Sequence, residues 1–571
     1  MKKIKSILIA VLCLMLVIPF TNIAAADETF QVTVNTTEAG HVYEAHQIFS
    51  GKLAEVDGKQ ILSDIQWGSS IVKKDKYDYS ANLLAAIQAE PKLSALHSAD
   101  SAAKLATLIS SNITSDSETM DLLAKVIGEY LGDPAQTSSF ETTHYLIDEL
   151  SAGYYLIKDN DETLTGADTV HTKYIVRVVK SVPVTPKGEK STLTKTINDT
   201  VDGTYGEHDD FDTNDLAYFK LSGTLPSNLK FYEQYYYKYV DTFPVGLDFY
   251  RLESLYIEGS EGNTVHTFFD LNDTDTTNDV LPAGVTENLN DKTYTLEIKD
   301  LLTLYPGILP THKVVVKVSA RVTRDALVQQ AMTNKAHLVY SNDPYSYGDG
   351  DGDYGKTPDD VAHAFTFKID IDKYDADNNA KKLEGAKFVV YYERAEGGQT
   401  VKYYAKIITD ETLYNIDEEG NKTLKPEADR LINGKPVDAD DLGVVYGWST
   451  DIEEAGTIVT DDKGFAGIRG IDSGIYYLKE TAAPAGYNLM ETPVQVKIAP
   501  TYSKDGSSVE VKYEVDSEEQ TTPTVGVRNS SGSTLPVTGG MGTTLFYVLG
   551  SAMVLGAALL LVSKKRYALK K

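Results

Sequence analysis

The residues available for chemistry narrow the field from the outset. Cysteine occurs once, at Cys13, inside an N-terminal stretch with the form of a secretory signal. Lys2, Lys3 and Lys5 precede an apolar run from Ile7 to Phe20, and Ala24-Ala25-Ala26 offers a cleavage site before Asp27. The mature chain expected from that cleavage has no thiol nucleophile and no disulfide, although it would work in an oxidising place. The 10 histidines are scattered, and there is no Gly-x-Ser-x-Gly elbow or zinc-type histidine pair. A surface hydrolase, or any turnover enzyme, is therefore not expected. Asp349, Asp351 and Asp353 alternate as at the start of a calcium loop, but Tyr354 stands where that loop needs glycine and Asp360 where it needs glutamate. The stretch reads as a solvated acidic linker, and no metal or cofactor is expected.

The densest signal is C-terminal. Leu535-Pro536-Val537-Thr538-Gly539 is followed by an apolar run from about Leu545 to Val562, then Lys564-Lys565-Arg566 and a terminal Lys570-Lys571. An apolar run of that length can just span a bilayer, and the basic cluster behind it resists translocation. The segment is expected to be a transmembrane stop, with everything before it outside. The pentapeptide resembles the LPXTG sorting signal of Gram-positive surface proteins at every defined position. That resemblance implies that a sortase cysteine cleaves between Thr538 and Gly539 and passes the Thr538 carbonyl to an amine.

A second set of motifs lies upstream. Phe367-Lys368-Ile369-Asp370-Ile371-Asp372-Lys373, Tyr476-Tyr477-Leu478-Lys479-Glu480-Thr481 and Val525-Gly526-Val527-Arg528-Asn529 resemble the Cna B-type domain, an immunoglobulin-like fold, and the pilin E-box. The resemblance implies that Lys373 attacks the Asn529 side chain with Glu480 as the assisting acid. The physics is coherent: desolvation lowers a lysine pKa and raises that of a carboxyl, leaving a free amine beside a general acid. The product, a neutral amide, cannot be reduced. Leu193-Thr194-Lys195-Thr196-Ile197, Tyr239-Val240-Asp241 and Thr333-Asn334-Lys335-Ala336 resemble the A-type domain of pilus backbones. Lys195 would be the nucleophile and Asp241 the acid. Asn334, leading the last strand, is the preferred partner, with Asn342 as the alternative. The first region has no lysine in its opening strand, since Lys52 follows Phe49, so no such bond is expected there.

Val182-Pro183-Val184-Thr185-Pro186-Lys187 resembles the pilin motif, whose lysine supplies the amine for sortase-catalysed polymerisation. Val178 stands where its tryptophan is usual and Thr185 where its tyrosine is, and Lys180 and Lys190 lie nearby. Pro186 would hold the chain extended and let Lys187 project.

The elements that must position these groups are mostly strands. Alternation at Phe30 to Val34, Leu193 to Ile197, Lys313 to Val322 and Phe367 to Asp375 argues for half-buried sheets, and 37 tyrosines suit sheets with one wet face. Asn82 to Leu131 is different: helical spacing, broken by Pro91 and the polar cluster near Asn112 into at least three short helices. The expected fold is mainly β, with tandem immunoglobulin-like β-sandwich domains, the first α+β with inserted helices. The expected organisation is a signal peptide at 1–26, an N-terminal domain at 27–187, a middle A-type-like sandwich at 188–364, a B-type sandwich at 365–529, and spacer, sorting signal and basic tail at 530–571. The segments lost on processing take eight basic and no acidic residues, leaving 46 basic against 83 acidic, a net charge of −37. That field opposes binding to nucleic acid.

The reading is a backbone subunit of a covalent, sortase-assembled pilus. Its implied partners are other copies of itself, pilin-class and housekeeping sortases, tip and base pilins, peptidoglycan and host surface ligands. The alternative is a monomeric wall-anchored adhesin.

Overall fold

The computed structural model describes residues 28–36, 40–56, 59–114, 117–160, 173–184, 190–272, 279–342, 354–418, 420–532 and 541–568. Three β-rich units follow one another, each around its own buried core, so the fold is mainly β with tandem sandwiches. In the first, the strand Phe30–Val34 buries every second side chain, as a strand with one covered face does. It pairs antiparallel with His144–Leu150 and parallel with Val182–Val184. The facing sheet runs in the order Lys173–Val178, Gly153–Asp159, Tyr43–Val56, Lys59–Trp67. Tyr155 and Ile157 of this sheet meet the first sheet, whereas Leu156 turns the other way, toward three helices, Ser80–Ala89, Ala102–Asn112 and Glu118–Gly128. Pro91 opens a 3-10 turn after the first helix, and Ser101 and Ser117 cap the other two by accepting from Lys104 N and Met120 N.

The second unit packs two sheets. One is ordered Leu193–Asn198, Leu216–Thr224, Lys313–Val322, Leu247–Glu258, Thr264–Asp270. The other carries Tyr237–Thr242 between Met332–Ser341 and Thr293–Ile298. Tyrosine is a core residue here rather than one for a wet face: Tyr235, Tyr237, Tyr239 and Tyr294 are all buried. Their hydroxyls reach polar groups, Tyr239 donating to Val314 O at 2.6 Å and Tyr237 to Thr224 O at 3.0 Å, which lets a large ring be buried without leaving a polar atom unmet. Gly223 makes room for both, since a Cβ there would stand 2.1 Å from the Tyr237 hydroxyl.

The second unit is not strand throughout. Leu301–Leu304 is one helical turn, capped by Asp300. Met332–Ser341 is not the unit's last strand either, because Tyr354–Lys356 and Asp360–Phe365 follow it and pair with it.

In the third unit, Phe367–Asp375 pairs antiparallel with Phe465–Ile471 and parallel with Thr524–Asn529. A larger sheet faces it, with Lys387–Glu396, Gly474–Ala482 and Val494–Tyr502 at its centre. This unit is not all strand: residues 408–444 form an insertion around Ile408, Leu413, Val437 and Val444, with a helical turn at Asp410–Leu413. Short apolar runs look alike whether they form a strand or one helical turn. Polar bonds join the second and third units, among them Trp448 Nε1 donating to Asp212 Oδ2 at 2.7 Å and Gln329 Nε2 to the Tyr513 hydroxyl at 2.7 Å.

Met541–Ala568 is a helix. Among the described residues no helix is long and apolar enough to cross a membrane. The side chains described in this helix run only from Tyr547 to Leu561, so the expected transmembrane run, Leu545 to Val562, extends past them at both ends.

Candidate functional site

Two buried clusters bring together a lysine, an acid and an asparagine. In the second unit, Lys195 occupies an inward position on Leu193–Asn198. Its Nζ donates to Asp241 Oδ1 at 2.9 Å, with the two side chains 0% and 1% exposed, and lies 4.6 Å from the centre of the Phe219 ring. Asp241 belongs to the facing sheet, on the inner row with Tyr237 and Tyr239. Ala336 is its direct cross-strand partner, and Asn334 is the diagonal neighbour on the same inner row, a relation that places Cα atoms about 7–8 Å apart. Asn334 is fully buried, and neither amide atom has a partner at hydrogen-bond geometry, although the amide is close enough to Asp241 to favour its charged form. Burying a polar group unmet costs about 1–3 kcal/mol, so this carboxamide is held at a price in stability. Asn342 lies past the other end of the Asp241 strand, where Tyr340 pairs with Tyr237. Six residues separate it from Ala336, about 20 Å of strand.

Burial drives the charge state. Desolvation pulls the Lys195 amine below its ordinary value, against the opposing pull of Asp241, and raises the Asp241 carboxyl against the pull of Lys195. Both shifts favour a neutral amine facing a protonated acid. Asp360 joins this cluster without a motif to announce it. Its Oδ2 accepts from the Lys195 backbone N–H at 2.6 Å, tying the lysine strand to the sheet that carries Asp241.

In the third unit, Phe367, Ile369, Ile371 and Lys373 form one buried row, so Lys373 stands where the pattern asks for an apolar residue. Its Nζ is 3.4 Å from Glu480 Oε1 with both side chains 0% exposed, and neither atom has an aligned hydrogen bond. Desolvation pulls the Lys373 amine down, opposed by Glu480. Glu480 Oε2 accepts from Asn529 Nδ2 at 2.9 Å and from Met490 N at 2.7 Å. Asn529 Nδ2 also donates to Asn488 O at 2.7 Å, while Asn529 Oδ1 has no partner. Lys373 pairs with Val527, and Asn529 is two residues further along the same parallel strand.

The two clusters are built differently. In the second unit the lysine comes from one sheet and the acid and asparagine from the other. In the third, lysine and asparagine share a sheet and the acid reaches across from the facing one. The first unit's Lys52 is 80% exposed and paired with Asp64. Lys187, the sorting residues Leu535, Pro536, Val537, Thr538 and Gly539, and the Asp349–Asp353 linker lie outside the described residues. Among the described residues no group of His, Cys, Asp and Glu side chains is disposed to hold a metal.

Comparison with known families matches residues 528–566 to the LPXTG cell wall anchor motif. The chain is a wall-anchored surface protein of the Gram-positive type. Residues 412–516 match the SpaA domain, described as a prealbumin-like fold; that segment includes Glu480 but neither Lys373 nor Asn529. No curated protein matches the chain. Similar solved structures include the T6 backbone pilin of serotype M6 Streptococcus pyogenes, at 14% identity over 89% of this chain and 100% of that one, with a TM-score of 0.45. The major pilin SpaA of Corynebacterium diphtheriae shares 14% identity over 88% and 100%, with a TM-score of 0.42. The full-length major pilin SpaD of the same species shares 13% over 88% and 98%, with a TM-score of 0.43.

Proposed function

We propose that this protein is the backbone subunit of a covalently polymerised surface pilus, and that each of its two lysine–acid–asparagine clusters forms an internal amide bond. The observation that carries the reading is the pair of fully buried lysines, each set against a buried acid with a buried asparagine alongside, in tandem domains above a cell wall anchor. In each cluster the neutral lysine Nζ attacks the asparagine Cγ. The Nζ–Cγ bond forms and the Cγ–Nδ2 bond breaks. The proton lost by the amine passes through Asp241 or Glu480 to the departing nitrogen, which leaves as ammonia, and the acid is regenerated. The protein is a substrate and building block; each internal bond forms once.

Polymerisation uses the same kind of bond between copies. A sortase cysteine breaks Thr538–Gly539 and holds the Thr538 carbonyl as a thioester. Lys187 Nζ of another copy attacks it, forming an amide and releasing the thiol. Donor and acceptor are different surfaces, so repetition gives an open head-to-tail fibre. Pilin-class and housekeeping sortases, tip and base pilins and peptidoglycan are the partners this scheme requires. Replacing Lys187 with alanine in the producing cell is expected to abolish the high-mass ladder on denaturing gels. An intact ladder would remove that lysine from the scheme, and no ladder from the unchanged protein would favour the monomeric adhesin.

A further inference from the structure

Residues 483–490, the first part of the connection from the Glu480 strand to Val494–Tyr502, touch the third unit's cluster twice through their backbone. Asn488 O accepts one hydrogen of the Asn529 carboxamide nitrogen, and Met490 N–H donates to Glu480 Oε2, which accepts the other hydrogen. The nitrogen that must leave is thus held by two acceptors, while the carbonyl oxygen has no partner. These bonds fix which way round the amide sits: Nδ2 faces the acid that protonates it.

The segment is itself fastened on two sides. Tyr487 N donates to Pro484 O at 3.0 Å, closing a turn whose third residue, Gly486, has φ +85°, a conformation that glycine holds without strain. The Tyr487 hydroxyl donates to Asp375 Oδ2 at 2.7 Å, and Asp375 is the cross-strand partner of Asn529 itself. On the other side, Asn488 N and Asn488 Nδ2 both donate to Ser530 O, at 3.1 and 3.2 Å, and Tyr487 forms a bridge with Ser531. The loop grips both strands of the reacting pair just past Lys373 and Asn529, at Asp375 and at Ser530, and presents one carbonyl to the departing nitrogen.

We infer that residues 483–490 are a positioning clamp for amide formation between Lys373 and Asn529, with Tyr487 and Asn488 as positioning residues. This rests on the internal-bond reading above. Charge supplies the reason. As the Asn529 nitrogen is protonated and leaves, it gains positive character, so a carbonyl dipole already aimed at it strengthens in the transition state. The Lys195 cluster has no such clamp on its amide: both Asn334 side-chain polar atoms lack an aligned partner.

The test follows ammonia loss over time in the freshly synthesised full ectodomain, residues 27–538, by intact mass, with proteolytic fragments separating the two clusters. Tyr487→Phe and Asn488→Ala, made singly, each remove one side-chain tie. Each is expected to slow bond formation in the third unit about fivefold or more, the scale of one hydrogen bond, without moving the pH at which its rate is half-maximal. The Lys195 bond in the same molecules serves as an internal control and should keep its rate. Unchanged rates in both variants would overturn the clamp, and so would a shifted pH midpoint, which would mean that the loop only shields Lys373 from water. A wild-type chain that never loses ammonia in the third unit would refute the bond itself and the clamp with it.

Discussion

Lys373 and Asn529 sit on adjacent parallel strands at opposite ends of the third unit's sequence, two residues out of direct register. An amide between their side chains would close that unit's first strand to its last. Tension entering at one end and leaving at the other would then pass through a covalent bond rather than through a ladder of hydrogen bonds that can shear. An amide formed in the Lys195 cluster would solve the same problem across the sandwich, joining the sheet of Lys195 to the sheet of Asn334.

Two bonds mean two ammonia molecules lost, each about 17 Da from the amide-forming chemistry. The recombinant ectodomain should weigh less than its sequence by both. Lys373→Ala and Lys195→Ala should each restore one, and the double variant both. Three losses from the unchanged chain would show a further bond outside these clusters.

The choice of partner in the second unit is testable by substitution. Asn334→Ala should abolish the loss mapped to that unit, while Asn342→Ala should leave it, because Asn334 lies diagonally across from Asp241 and Asn342 lies beyond the far end of that strand. The reverse result would reassign the bond.

The pH dependence follows from the directions of shift at Lys195 and Asp241. Burial lowers the lysine and raises the acid, so the reactive form carries a neutral amine and a protonated carboxyl. Formation should fail at low pH, where the amine is protonated, and rise as pH climbs through the depressed lysine value. It should fall again above the raised value of Asp241. Linkage has the same sign on the amine side: before reaction, the folded state binds fewer protons at Lys195 than the unfolded chain does, so stability rises with pH there. Asp241 contributes oppositely, with stability lost as pH rises through its raised value. Once the bond has formed, Lys195 no longer titrates, which a comparison of wild type with Asn334→Ala by pH-dependent unfolding would show.

Stability should track the bonds. Glu480→Ala removes the acid and leaves Lys373 buried without a charge partner. By analogy with other long-loop cross-links the lost constraint is worth about 4 kcal/mol, which for a unit of this size is about 10 °C or more in Tm. Calorimetry of the ectodomain should show the third unit's transition falling by that order while the second unit's stays in place.

Much of this was readable in the chain. Lys373, Glu480 and Asn529 stand in recognisable motifs, and Lys373 betrays itself by interrupting the buried row of Phe367, Ile369 and Ile371. Helix breaks at Pro91 and near Asn112 follow from missing donors and serine caps. Register was not readable, and register is what separates Asn334 from Asn342. Asp360 read as the failed end of a calcium loop because nothing local says that its carboxylate meets a strand of the facing sheet. The Asn488 and Met490 contacts are backbone groups, which leave no mark in side-chain identity. The insertion at 408–444 leaves no mark in the sequence because its apolar runs are too short to show a period.

The most direct measurement concerns the junction between copies. Proteolysis of high-mass polymer shed from the producing cell, followed by tandem mass spectrometry, should yield a branched peptide in which the Thr538 carboxyl is joined to Lys187 Nζ. Finding that branch would place the sorting signal and Lys187 in one reaction. Finding Thr538 joined only to wall peptide, with Lys187 unmodified, would contradict the polymer and leave a protein that is anchored once and alone.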